Sequence, residues 1–178
     1  MQKLTHKELV ERQYHLRQSA AKLPLVVVLN NIRSLYNVGS IFRTADGVGI
    51  EKLWLCGITG HPPKPGISKT ALGAENAVEW EHSWDILRVV RSYKEAGYRI
   101  VFLEQIKQSV SYQEFKPNGP VCLVLGNEIS GISDELLSLC DHAIEIEMDG
   151  LKNSLNVTVA FGVVAYYIRN RLKRKSQK

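Results

Sequence analysis

The sequence predicts an α/β fold with a mainly parallel sheet of five or six strands and helices on both faces. Three observations carry that expectation. Short apolar runs such as residues 25–29 and 121–125 show no polar alternation, which marks strands buried on both faces. Stretches with helical spacing fall between these runs, and strands that alternate with helices favour a parallel sheet. The polar, glycine-rich segments follow strands, where ligands sit in folds of this class.

In chain order, Thr5-His6-Lys7-Glu8 reads as a capping box that opens a first helix. Its apolar residues only roughly follow a helical period. Pro24 separates it from a strand at 25–29. A polar loop at 30–34 leads to a helix over about 38–48, closed by Gly47 and Gly49. Residues 53–56 form a second strand. Residues 57–76 read as loop, punctuated by Gly57, Gly60, Pro62, Pro63, Pro65, Gly66 and Gly73. Residues 78–80 form a short strand, and a helix spans about 84–96 with Gly97 in the left-handed position that ends it. Strands follow at 99–103 and 121–125. A short helix from Ser133 to Cys140, a strand at 143–146 and a long helix over about 154–174 complete the chain.

The 178 residues favour one domain with a sizeable core. No apolar run approaches the ~18 residues of a membrane span, and the charged N-terminus does not read as a secretory signal. The net charge of +5 is unevenly placed. Residues 1–22 carry a net +3, residues 169–178 carry six basic side chains and no acid, and the body between is mildly acidic. The organisation expected is a basic helical extension at 1–23, a body at 24–168 and a basic tail at 169–178. Basic ends suit a polyanion such as nucleic acid, or only a solvated surface. Cys56, Cys122 and Cys140 each lie in apolar surroundings, as free thiols do in a reducing cytoplasm. The five histidines form no metal-ligand pattern, so no metal site is expected.

Three segments can carry chemistry. In residues 31–46, Gly39 permits close backbone approach. Arg43 has a planar fork suited to phosphate or carboxylate, or is a surface arginine paired with Asp46 or Asp85. In residues 125–133, Gly126 and Gly131 bracket a turn in which Glu128 reads a hydroxyl or cation, or only caps the turn. The segment matches neither a Walker A loop nor GxGxxG. In residues 146–160, Ser154 or Asn153 is expected to cap the last helix. Asn156 falls in its first turn, on a helix apolar all round and so expected to be buried. Such an Asn is a satisfied cap or a ligand contact.

Taken together, the three segments resemble the SPOUT-class RNA ribose 2′-O-methyltransferases of the TrmH-like group. The first motif of that family is similar to Asn37-Val38-Gly39 and Arg43-Thr44-Ala45-Asp46. The second is similar to Gly126-Asn127-Glu128 with Gly131 and Ser133, and the third to Ser154-Leu155-Asn156-Val157. Order and spacing agree over about residues 24–168.

The resemblance implies a C-terminal deep trefoil knot, a rare exception to the rule against knots. It also implies a homodimer with sites near its interface, S-adenosylmethionine as cofactor, and a tRNA or rRNA substrate. Carried over, Gly126, Ile146 and Leu155 hold the cofactor, with Leu103, Leu125 and Met148 lining its pocket. Arg43 is the implied catalytic residue, and Asn37, Glu128, Ser154 and Asn156 position it, the ribose and the cofactor. A guanidinium is a poor base at neutral pH, so a role in orienting the ribose and stabilising the developing alkoxide is preferred.

Many relatives carry a separate RNA-binding domain ahead of the catalytic one, and only about 23 residues stand there in this chain. The expected phosphate contacts are therefore Lys3, Lys7, Arg12, Arg17, Lys22, Arg33, Arg169, Arg171, Lys173, Arg174 and Lys175. Binding through them is expected to be salt-sensitive. The competing readings are methylation of an RNA base and a non-catalytic RNA-binding protein of the same fold.

Overall fold

β-Branched and leucine-rich runs bury best where both sheet faces are covered, and the structure uses them so. The computed structural model describes residues 2–19, 22–127 and 132–175, the side chains of 17–19 and 175 excepted. Helix α1 (His6–Ser19) leads to β1 (Leu23–Asn30), α2 (Leu35–Val48) and β2 (Ile50–Cys56). Helix α3 (Pro65–Ala71), a 3₁₀ turn at Ala74–Asn76 and β3 (Trp80–Ser83) follow. Next come α4 (Ile86–Glu95), β4 (Arg99–Leu103), β5 (Val110–Ser111) and β6 (Val121–Leu125). Helix α5 (Asp134–Leu137), β7 (His142–Glu145) and α6 (Val157–Lys175) end the described residues.

The strands form one sheet in the order β3-β2-β1-β6-β4-β7-β5, and every pair is parallel. The described sheet thus has seven strands rather than five or six. The added one, β5, is two residues long, too short for any period to show. All carboxyl ends lie along one edge. Side chains alternate between faces: Leu25, Val27 and Leu29 pack with α2, α3 and α6, whereas Val26 and Val28 pack with α4 and α5. Cys56 and Cys122 lie in the second of these layers as free thiols. Burial pushes Cys56 up to about 12 and raises Cys122 as well, so neither is a nucleophile at neutral pH.

The capping box is present. Glu8 accepts from the Thr5 N–H at 2.6 Å, and Thr5 Oγ1 accepts from the Glu8 N–H at 3.3 Å. Leu4, Leu9, Val10, Tyr14 and Leu16 are all exposed, so the irregular apolar pattern of α1 marks a helix that does not join the core. Helix α3 lies where only loop was expected. Its Pro65 occupies the first turn, where a missing N–H costs nothing. The last helix starts at Val157, three residues later than expected, and continues through most of the basic tail.

Gly39 sets the packing of α2 on α3. A Cβ there would meet Thr70 Oγ1 at 2.1 Å and the Ile67 carbonyl oxygen at 2.3 Å. Gly39→Ala is expected to push the two helices apart at a cost of about 1–3 kcal/mol. That should lower the thermal midpoint by about 5 °C in a chain of this size. An unchanged midpoint by calorimetry would show that the contact is not tight.

Candidate active site

The sheet changes direction between β1 and β6. The chain steps outward from β1 to β2 and β3 and then returns beyond β6 with β4. Three polar residues tie the loops at this crevice. Asn127 donates to the Asn31 carbonyl at 2.7 Å. Asn31, held at φ 59°, accepts the Ile58 N–H on its Oδ1 at 3.1 Å. Thr59 is buried; it donates to the Cys56 carbonyl at 2.6 Å and accepts from the Ile32 N–H at 3.0 Å. The loop after β1 is therefore tied by hydrogen bonds, and the two made by Thr59 are buried and so expensive to leave unmade.

That loop launches α2. Ser34 caps the helix by accepting the Asn37 N–H at 3.3 Å, which places Asn37 in the first turn. Arg43 follows six residues later, ~9 Å along the axis. It is exposed, and among the described residues it has no ion pair or hydrogen bond, neither to Asp46 nor to Asp85. A guanidinium left unpaired on a rigid helix is free to meet an anion.

The carboxyl ends of β4, β6 and β7 and the start of α6 enclose a cavity of about 160 Å³. Its apolar walls are Leu103, Leu125, Ile146, Leu155, Val157 and Ala160, and Gly126 leaves one wall without a side chain. Glu104, Gln105, Asn127, Glu145 and Ser154 supply its polar groups. A second, more open cavity of about 460 Å³ adjoins it, sharing Gln105, Glu145 and Ile146 and reaching Met148. Of the residues expected to hold a cofactor, Leu103, Leu125, Gly126, Ile146 and Leu155 line the first cavity, and Met148 lines the second.

The segment 146–156 closes the cavity. Gln105 donates to the Asn153 carbonyl at 2.8 Å and fastens the segment to the end of β4. Asn156, rather than Ser154 or Asn153, caps α6: its Oδ1 accepts the Thr158 N–H at 2.9 Å, and its carbonyl accepts the Ala160 N–H at 3.0 Å. It stands before the first turn and is exposed, which corrects the expectation of a buried residue. Its Nδ2 donates to Asn37 Oδ1 at 3.4 Å. That contact joins segments 119 residues apart and brings the α2 loop to the cavity's mouth. Glu128 and Gly131 lie outside the described residues.

Comparison with known proteins follows the same architecture. The model of the SpoU rRNA methylase family matches residues 24–166. The chain belongs to the SpoU rRNA methylase family. A tRNA (guanosine(18)-2′-O)-methyltransferase of Aquifex aeolicus is 31% identical over 158 residues, covering 85% of this chain and 71% of that protein. The crystal structure of the A. aeolicus TrmH/SpoU tRNA modifying enzyme superposes with a TM-score of 0.81 at 30% identity, over 94% of this chain and 86% of that one. The AdoMet-bound rRNA methyltransferase from Sinorhizobium meliloti superposes with a TM-score of 0.79 at 27% identity, over 85% of this chain and 58% of that one.

The SpoU match contains both cavities, Asn37, Arg43 and Asn156. Most of the basic residues named above lie outside it. Lys3 is exposed ahead of α1, Lys7 and Arg12 on α1, where Lys7 pairs with Glu11 at 3.9 Å, Lys173 and Arg174 at the end of α6, and Arg33 in the loop after β1. Lys22 is not a free cation, because it pairs with Glu79 at 2.7 Å. Arg169 lies over the Tyr166 ring and Arg171 over Tyr167. The side chains of Arg17 and Lys175 lie outside the described residues. Asn127 and Val157 belong to the motifs without an implied role there, and the cavity residues that the sequence does not single out are Glu104, Gln105, Glu145 and Ala160. Glu104 and Gln105 directly follow a strand, and that position at the carboxyl edge was the available signal.

Proposed function

We propose that this chain transfers a methyl group from S-adenosylmethionine to a ribose 2′-hydroxyl of RNA. The observation that carries the reading is the Asn37–Asn156 contact at the mouth of an apolar cavity. It sets the arginine-bearing helix beside a space suited to a nucleoside. Relatives named as tRNA and rRNA 2′-O-methyltransferases support the activity, and an AdoMet-bound neighbour supports the cofactor.

The cavity fits such a cofactor. Leu103, Leu125, Ile146, Leu155 and Ala160 offer apolar walls to a purine, and Gly126 leaves space for it. Glu104, Gln105 and Glu145 offer acceptors to ribose hydroxyls and to an ammonium group. When bound, S-adenosylmethionine supplies a methyl group activated by its sulfonium. Arg43 grips the RNA phosphate beside the target ribose and stabilises negative charge as it develops on the 2′-oxygen, whose proton leaves to solvent water as the carbon–oxygen bond forms and the carbon–sulfur bond breaks. Asn37 and Asn156 orient the sugar, and Ser154 adds to the polar rim; Glu128, outside the described residues, is the further polar residue that the family resemblance assigns to this chemistry. Holding the hydroxyl against the methyl supplies much of the rate.

The trefoil knot that the resemblance implies would run through segment 146–156, which Gln105 fastens to the end of β4. Val159, Val163 and Tyr166 form an exposed stripe at helical spacing on α6, with Leu155 and Tyr36 exposed nearby. A contiguous apolar patch of this kind suits a homodimer interface. The basic extension at 1–23 and the end of α6 then add phosphate contacts from both copies around the 24–168 body. Unreactive buried thiols fit a cytoplasmic setting. No helix of the described residues is long and apolar enough to cross a membrane. The test is transfer of labelled methyl from S-adenosylmethionine to deproteinised total RNA. Incorporation that needs both protein and RNA is expected; none into either tRNA or rRNA would overturn the reading.

A further inference from the structure

A chain of aromatic rings runs outward from the core along the sheet edge that bears the cavity. Phe42 is fully buried and meets Trp80 edge-on at 6.4 Å. Trp80 stacks with His61 at 6.1 Å and 24°. His61 meets His82 at 4.9 Å, and His82 meets Trp84 edge-on at 5.0 Å. The series ends in solvent, with Trp84 76% exposed.

The outer rings are held in place. His82 Nε2 lies 3.0 Å from the Gly57 carbonyl, and His61 Nδ1 lies 2.9 Å from the Pro62 carbonyl. Each of those nitrogens therefore carries the proton. The backbone at Trp84 is fixed from both sides. Ser83 Oγ accepts the Asp85 N–H at 3.2 Å, and Asp85 caps α4 by accepting the Arg88 N–H at 2.9 Å. Asp85 is thus engaged in a cap beside the ring. An exposed indole with this much support loses little freedom when something stacks on it.

Position and charge say what stacks there. Trp84 follows β3 and His61 follows β2, so both stand at the same edge as the cavity. From β3 to β6 is three strand spacings, roughly 14 Å. Arg33 and Ile58 are exposed in the loops between, and Lys64 is exposed just after His61. The edge thus presents a flat aromatic face at one end, cations along the way and the nucleoside-sized cavity at the other. We infer that Trp84, backed by His82 and His61, is a stacking platform for an unpaired base of the substrate RNA, a few nucleotides from the methylated ribose. This rests on the RNA-methylation reading above. Unpaired bases offer a π-face of any sequence to such a ring, and backbone phosphates offer the charge that Arg33 and Lys64 match.

The experiment measures binding of a fluorophore-labelled single-stranded RNA oligonucleotide, and of the same sequence as a duplex. It compares the wild-type protein, Trp84→Ala and Trp84→Phe. Cofactor affinity and the thermal midpoint of each variant report on folding. The expected result is about a tenfold loss of single-strand affinity in Trp84→Ala, most of it recovered in Trp84→Phe, with the duplex little affected. Unchanged single-strand affinity in Trp84→Ala would overturn the platform, as would an equal loss for strand and duplex. Either result would leave RNA methylation standing if the wild-type protein still transfers methyl. A wild-type protein that transfers none would overturn the methylation reading first.

Discussion

Replacing Arg43 by alanine is expected to lower methyl transfer by about 10²–10³-fold while cofactor affinity stays within about twofold. The size follows from removing one charged donor aimed at a developing oxyanion. The selectivity follows from position. Arg43 is exposed, does not line the cavity and holds no partner among the described residues, so its loss leaves neither a buried hole nor an orphaned charge. Arg43→Lys separates charge from shape. A lysine keeps the cation but not the bidentate fork, so partial activity is expected, well below the wild-type rate. Full turnover in Arg43→Ala would remove Arg43 from the mechanism. Turnover lost in step with cofactor binding would make its role structural.

Ala160→Phe is expected to weaken S-adenosylmethionine binding by at least about a hundredfold, or ~2.7 kcal/mol. Ala160 lies on the first turn of α6 and lines the cavity, so a phenyl ring there takes the volume meant for the ligand. The ring enters space that is already open, so the thermal midpoint should change little. Ala160→Ser, nearly the same size, should bind close to the wild type. Isothermal calorimetry on the two variants decides the matter. Wild-type affinity in Ala160→Phe would place the cofactor elsewhere.

The fold was legible wherever burial is continuous. β1, β4 and β6 announce themselves because a strand covered on both faces has no polar alternation to interrupt it. Gly49 and Gly97 marked helix ends correctly, since each adopts the positive φ that other residues avoid. What failed was short or locally contradictory. β5 is only two residues, and α3 hides behind Pro65 and Gly66, residues that usually break helices but here occupy a first turn and a tight contact with Leu35. Strand order was out of reach, because periodicity tells which residues are buried but not beside which strand.

At the site, motif residues predicted the cavity's apolar walls better than its rim. Leu103, Leu125, Gly126, Ile146 and Leu155, which the family resemblance implied, all line it. The polar rim depended on tertiary contacts. Asn156 looked buried by the pattern of its neighbours, yet it is an exposed cap, because the helix starts one residue after it. Nothing local marks Gln105 as the residue that fastens segment 146–156, since its partner Asn153 lies 48 positions away. Val159 and Val163 share the expectation of burial and are also exposed, because an apolar helix face has one sequence signature whether or not the chain covers it.

The methyl group is expected on a ribose. The most direct test is complete nuclease digestion of RNA methylated by the purified protein, followed by mass spectrometry of the nucleosides. The added mass is expected to stay on the sugar fragment when the glycosidic bond is broken, and Arg43→Ala is expected to remove the signal. A methyl that travels with the base would contradict ribose methylation.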